Sequence, residues 1–95
     1  MNKNKIKEDL ESFAKDMLQK KDSNEFNDAV NRFKEYLEKN KEDLIKIYKE
    51  DGPESEYLVS GYKAVYDYPK CALQYQEHME STIAGDVLVA HDDSY

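Results

Sequence analysis

Between residues 4 and 21, Ile6, Leu10, Phe13, Ala14, Met17 and Leu18 recur at steps of three and four, which places them on one stripe of an amphipathic helix. The spacing predicts a first helix there. Phe26, Ala29, Val30, Phe33 and Leu37 repeat the pattern as far as about Lys39. Asp22 or Ser23 is the candidate N-cap of that second helix, with Glu25 three residues beyond Asp22 in the manner of a capping box. Asn40 either ends the second helix or caps a short third one, which carries Leu44, Ile45, Ile47 and Tyr48 and is stopped by Gly52 and Pro53.

Pro53 is suited to a first helical position, with Glu54 and Glu56 in the first turn where the helix dipole favours negative charge. A fourth helix is therefore expected over about residues 54–66. Its apolar set is Tyr57, Leu58, Gly61, Tyr62 and Val65, although Val59, Ser60 and Gly61 weaken helix propensity. Asp67 before Tyr68-Pro69 is a second cap-then-proline start. Ala72, Gln76, Met79 and Ile83 then share one face, with Leu73 beside it, in a fifth helix reaching about Ala84. Gly85 is a natural C-terminal cap. Residues 86–90 are rich in Val and fit either a docked extended segment or more helix, and residues 91–95 read as a solvated tail. The expectation is an all-α compact bundle of four to five short helices forming one domain over residues 1–95, with residues 85–95 as the part suited to a flexible tail.

With 95 residues and a 39% hydrophobic share, the chain has material for one modest core. Its longest apolar run, Val87-Leu88-Val89-Ala90, is far short of the ~20 residues that span a bilayer, and no signal peptide is recognisable near Met1. A soluble, cytoplasmic protein is expected. Cys71 is the single cysteine, so neither an intramolecular disulfide nor a cysteine-held metal is available.

Charge changes the picture more than composition does. The formal net charge is −7, yet residues 1–21 carry six Lys against four acids, whereas residues 53–95 carry Lys63 and Lys70 against eight acids. The acidic half also holds six of the eight tyrosines. Carboxylates interleaved with phenols offer acceptor charge and flat amphipathic contact area, which suits a basic protein surface rich in Arg and Lys. Glu54, Glu56, Tyr57, Tyr62, Tyr66, Asp67, Tyr68, Glu77 and Glu80 are the candidate partner-binding residues. The expected partner is a nucleic-acid-processing enzyme or binding factor, such as a nuclease, engaged by an inhibitor that imitates phosphate charge. Direct binding to nucleic acid is not expected, because phosphates would be repelled, and the four acids interspersed in the first helix argue against a membrane surface. Short, Lys- and Asn-biased chains without motifs are associated with phages and mobile elements, an association without a physical argument behind it. Acidity for solubility and tyrosines half buried in a core explain the same composition. The alternative is a helical structural or regulatory adaptor that self-associates, as a homodimer for example, through apolar helix faces.

Catalytic chemistry is hard to place. Cys71 and His78 are seven apart, about 10 Å along a helix axis, too far for a nucleophile and its base or for one shared metal. His91, Asp92 and Asp93, with Asp86, have the ligand types for a divalent cation but lie adjacent in a tail, where preorganisation is rare. Acid pairs such as Glu8-Asp9, Glu42-Asp43 and Glu50-Asp51 alternate with Lys and are expected as solvated helix faces. No phosphate-cradling glycine loop, zinc helix or nucleophile elbow is present. A non-enzymatic protein without cofactor or metal is expected.

Overall fold

The computed structural model describes residues 1–84, which form α1 (Lys3–Gln19), α2 (Phe26–Lys39), α3 (Lys41–Asp51), α4 (Glu56–Val65) and α5 (Pro69–Ala84). No strand occurs among the described residues, so the all-α bundle expected from the periodicity is what the chain forms. Residues 85–95, including the Gly85 cap, the Val-rich run and the His91-Asp92-Asp93 group, lie outside the described residues.

Most positions of the stripes read from the sequence turn inward. Ile6, Leu10, Ala14 and Met17 of α1 and Phe26, Ala29, Val30, Phe33 and Leu37 of α2 are buried, joined by Leu44 and Ile47 of α3. Burying a side chain the size of Leu, Met or Phe contributes about 1.5–3 kcal/mol, so the larger of these residues supply a substantial part of the driving force. α4 adds Leu58, Gly61 and Val65 and packs most extensively on α1. α5 touches all four other helices and buries Cys71, Ala72, Tyr75, Met79, Thr82 and Ile83. A helix surrounded in this way needs a wide apolar face, which explains why its pattern is the least sharply one-sided of the five.

Local chemistry departs from expectation at several helix starts. Asp22 and Glu25 form no capping box. Instead Ser23 Oγ accepts from Glu25 N at 3.1 Å, a short-range turn that delays α2 until Phe26. Asn40 does not cap α3 with its side chain. Its Nδ2 donates to the Tyr36 carbonyl at 2.9 Å and so finishes α2. Pro53 is not the first residue of α4. Gly52 adopts φ 83°, a backbone open to glycine, and the chain turns through Pro53 and Glu54 before Ser55 caps the helix by accepting from Tyr57 N at 3.3 Å. On α5, Leu73 is 54% exposed and Gln76 is exposed, because Cys71 and Tyr75 take the core-facing places instead.

Ion pairs join elements at the surface. Lys3 Nζ lies 3.0 Å from Glu50 and 3.2 Å from Asp51, linking α1 to the end of α3. Asp16 accepts from Lys20 at 2.9 Å and from Arg32 at 2.8 Å, linking α1 to α2. Burial raises the Asp16 carboxyl pKa, but these two hydrogen bonds outweigh it and hold the group below its ordinary value.

Candidate functional site

The site is built on the α4–α5 hairpin. Pro69 opens α5 where a missing N–H costs nothing, and the Tyr68 carbonyl accepts from Cys71 N at 2.9 Å and Ala72 N at 3.0 Å. The two helices are then locked by Tyr75. Its hydroxyl donates to the Leu58 carbonyl at 2.6 Å, and its ring stacks on Phe33 at 5.1 Å between centroids. Gly61 makes this approach possible, since a Cβ there would lie 2.5 Å from Tyr75 Cε2. Burial pushes the Tyr75 phenol above its ordinary pKa, so it stays a neutral donor.

Beside this lock α3, α4 and α5 line a groove of about 350 Å³. Leu58, Met79 and Ile83 contribute buried apolar surface, the rings of Tyr48, Tyr62 and Tyr75 contribute aromatic surface, and Val59, Pro53, Gln76 and Glu80 complete the lining. Gln76 Nε2 donates to Glu80 Oε1 at 3.0 Å, which orients the carboxylate while leaving it further acceptor capacity. The result is an apolar and aromatic trough with one negative charge on its edge.

The nine residues singled out from the sequence do not share one environment. Glu54, Glu56, Asp67, Glu77 and Glu80 are exposed, and Tyr66 is 64% exposed with its ring edge-on to Tyr62 at 5.7 Å. Tyr62 is half-buried and lines the groove. Tyr57 is half-buried against the core with Lys3 Nζ 5.7 Å from its ring centroid. Tyr68 carries Lys21 Nζ at 4.2 Å. Of the nine, then, only Tyr62 and Glu80 line the groove. Its other walls, Tyr48, Val59, Met79 and Ile83, come from three helices and were not among the candidates; only their shared apolar character hinted at them.

The α4–α5 corner is also fastened to the connection between α1 and α2. Lys70 Nζ donates to the Lys21 carbonyl at 2.9 Å and sits 4.2 Å from the Phe26 ring centroid. One of the two cations in this half of the chain is thereby committed to structure.

Cys71 is fully buried and His78 is half-buried, with its Nε2 3.0 Å from Gln74 Oε1. Burial raises the thiol pKa, the opposite of what a cysteine nucleophile needs. Burial, with Lys34 nearby, lowers the His78 pKa. Among the described residues no group of three His, Cys, Asp or Glu side chains could hold a metal ion, and no helix is long and apolar enough to cross a membrane. Compared with known proteins, the chain matches no family model, no curated protein and no solved structure.

Proposed function

We propose that this all-α chain is a non-enzymatic binding protein whose C-terminal half engages a basic surface of another protein, of the kind that nucleic-acid-processing enzymes present. The carrying observation is that Glu54, Glu56, Asp67, Glu77 and Glu80 of this half are all exposed, that Tyr66 is uncovered, and that Glu80 and Tyr62 line an apolar groove. Acceptor charge next to apolar contact area steers a cationic partner and then gives it something to bury. Residues 53–84 hold those five acids against Lys63 and Lys70, a balance of −3. Inhibition follows from occupancy: carboxylates seated on a surface built for phosphates exclude the nucleic acid.

The test compares immobilised wild type with the Glu54→Lys, Glu56→Lys, Glu77→Lys, Glu80→Lys variant, using cell extract washed with rising salt. Wild type should retain a basic nucleic-acid enzyme that elutes as salt rises and is inhibited by the purified chain, while the variant, still helical by circular dichroism, releases it. Equal retention by both proteins would remove this half as the interface. Recovery of only the chain itself, insensitive to salt, would favour the self-associating adaptor instead.

A further inference from the structure

Resting on the reading that this half meets a basic protein, we infer that the groove between α3, α4 and α5 is its anchoring point. The occupant is an amphipathic, cationic segment of the partner that places a bulky apolar side chain in the trough and an adjacent Lys or Arg on Glu80. Three observations carry this.

The floor of Leu58, Met79 and Ile83 is apolar, and about 350 Å³ falls at the low end of the ~300–1,000 Å³ that ligand sites enclose. That space suits side chains of a segment lying along an open groove, the mode in which an amphipathic helix inserts spaced apolar anchors. The edge carries one exposed carboxylate, Glu80, which accepts one hydrogen bond from Gln76 at 3.0 Å and keeps acceptor capacity for an arriving cation. Tyr62 and Tyr48 add aromatic faces beside it, which favour a guanidinium or ammonium group and offer no charge to attract an acid. Two copies of a chain with net charge −7 repel each other.

The probes are two short synthetic peptides with the same Leu residues at steps of three and four, one filled with Lys and Arg and the other with Glu. Each is titrated into the isotope-labelled full chain and followed by NMR. The basic peptide should bind saturably at equal stoichiometry, shifting the resonances of Leu58, Tyr62, Met79 and Ile83, and the acidic one should not bind. Glu80→Lys and Val59→Lys, both at partly or fully exposed helical positions, should each weaken binding at least about tenfold. Glu38→Lys, an equal charge change on exposed α2, should leave it within about twofold.

If Glu38→Lys weakens binding as much as Glu80→Lys does, attraction is diffuse and the groove is not the anchor; the salt-elution comparison of the four-Glu variant then decides separately whether the C-terminal half is the interface. Equal binding of the acidic peptide, or absence of saturable binding by the basic one, overturns the inference. So do nuclear Overhauser contacts from Val87–Val89 to Leu58 or Met79 in the free chain, which would assign the groove to the chain itself. A dimer that the basic peptide fails to disperse would assign it to a second copy.

Discussion

Gly61→Ala tests the lock that shapes the groove. A methyl group at this position would lie 2.5 Å from Tyr75 Cε2 and 2.8 Å from both Cζ and the hydroxyl oxygen. Carbon atoms rest at about 3.5–4.0 Å, so the ring must retreat by ~1 Å. It has little freedom to do so, because Phe33 stacks on it and the Leu58 carbonyl accepts a hydrogen bond from its hydroxyl at 2.6 Å. Overpacking costs about 1–3 kcal/mol, and lengthening that hydrogen bond beyond good geometry costs about 0.5–1.5 kcal/mol. Against this stands a gain of about 1 kcal/mol from replacing a helical glycine with alanine. The net loss is about 1–3 kcal/mol, and each kcal/mol should lower Tm by ~4–8 °C in a chain of this size. Urea and thermal unfolding followed by far-ultraviolet circular dichroism give both numbers. The second arm places Gly61→Ala in a Tyr75→Ala background, where space is available and the same methyl should stabilise by up to about 1 kcal/mol. A single variant as stable as wild type, or an unchanged sign across the cycle, would refute the close approach.

Ser60 Oγ is buried without a hydrogen-bond partner among the described residues, so Ser60→Ala should stabilise the fold by about 1 kcal/mol in urea unfolding, since it removes a desolvated hydroxyl and raises helix propensity. Asp16 contributes stability that is present above its ordinary carboxyl pKa of 3.8 and is lost as pH falls through its lower folded value. The stability gap between wild type and Asp16→Asn should therefore narrow as unfolding is repeated at successively lower pH from 3.8 downward. Tyr36 and Tyr75 have phenol pKa values raised first by burial, and in Tyr36 also by its 2.9 Å hydrogen bond to Asp9. Their contribution is complete below the ordinary value of 10.0 and disappears as pH rises beyond it. An ultraviolet absorbance titration should show these phenols ionising late and together with unfolding, and Tyr36→Phe should remove one of the late steps.

The amphipathic helices were legible because their cores are periodic. Every residue of the α2 stripe, from Phe26 to Leu37, is buried as its spacing implies. Helix starts were less so, because each depends on which of several neighbouring polar groups takes a particular N–H. Ser23, Asn40 and Ser55 settled those contests through contacts two to four residues away that periodicity does not encode. Gly61 illustrates a different limit. Its cost to helix propensity is visible in the linear order, but the reason for it, Tyr75 fourteen positions later, exists only after α4 and α5 fold together. The tyrosines show the same thing. Tyr66 and Tyr68 differ from Tyr75 by long-range packing, 64% and 38% exposed against 2%, and nothing within their own segments distinguishes them. The groove draws on Tyr48, Val59 and Ile83, so its apolar character is spread thinly along the chain and concentrated only in space.

Tyr75 belongs to two structures at once. Its ring is part of the groove wall, and the same ring and hydroxyl hold α5 to Phe33 of α2 and to the backbone of α4. Occupancy and folding are therefore thermodynamically linked: a ligand that presses on this wall binds the folded chain alone and raises its resistance to heat by RT ln(1 + [L]/Kd), about 2.7 kcal/mol at a hundredfold excess over Kd. The reverse also holds. Any change that loosens the ring lowers affinity without touching the ligand, so a melting curve becomes a gauge of whether the trough is filled.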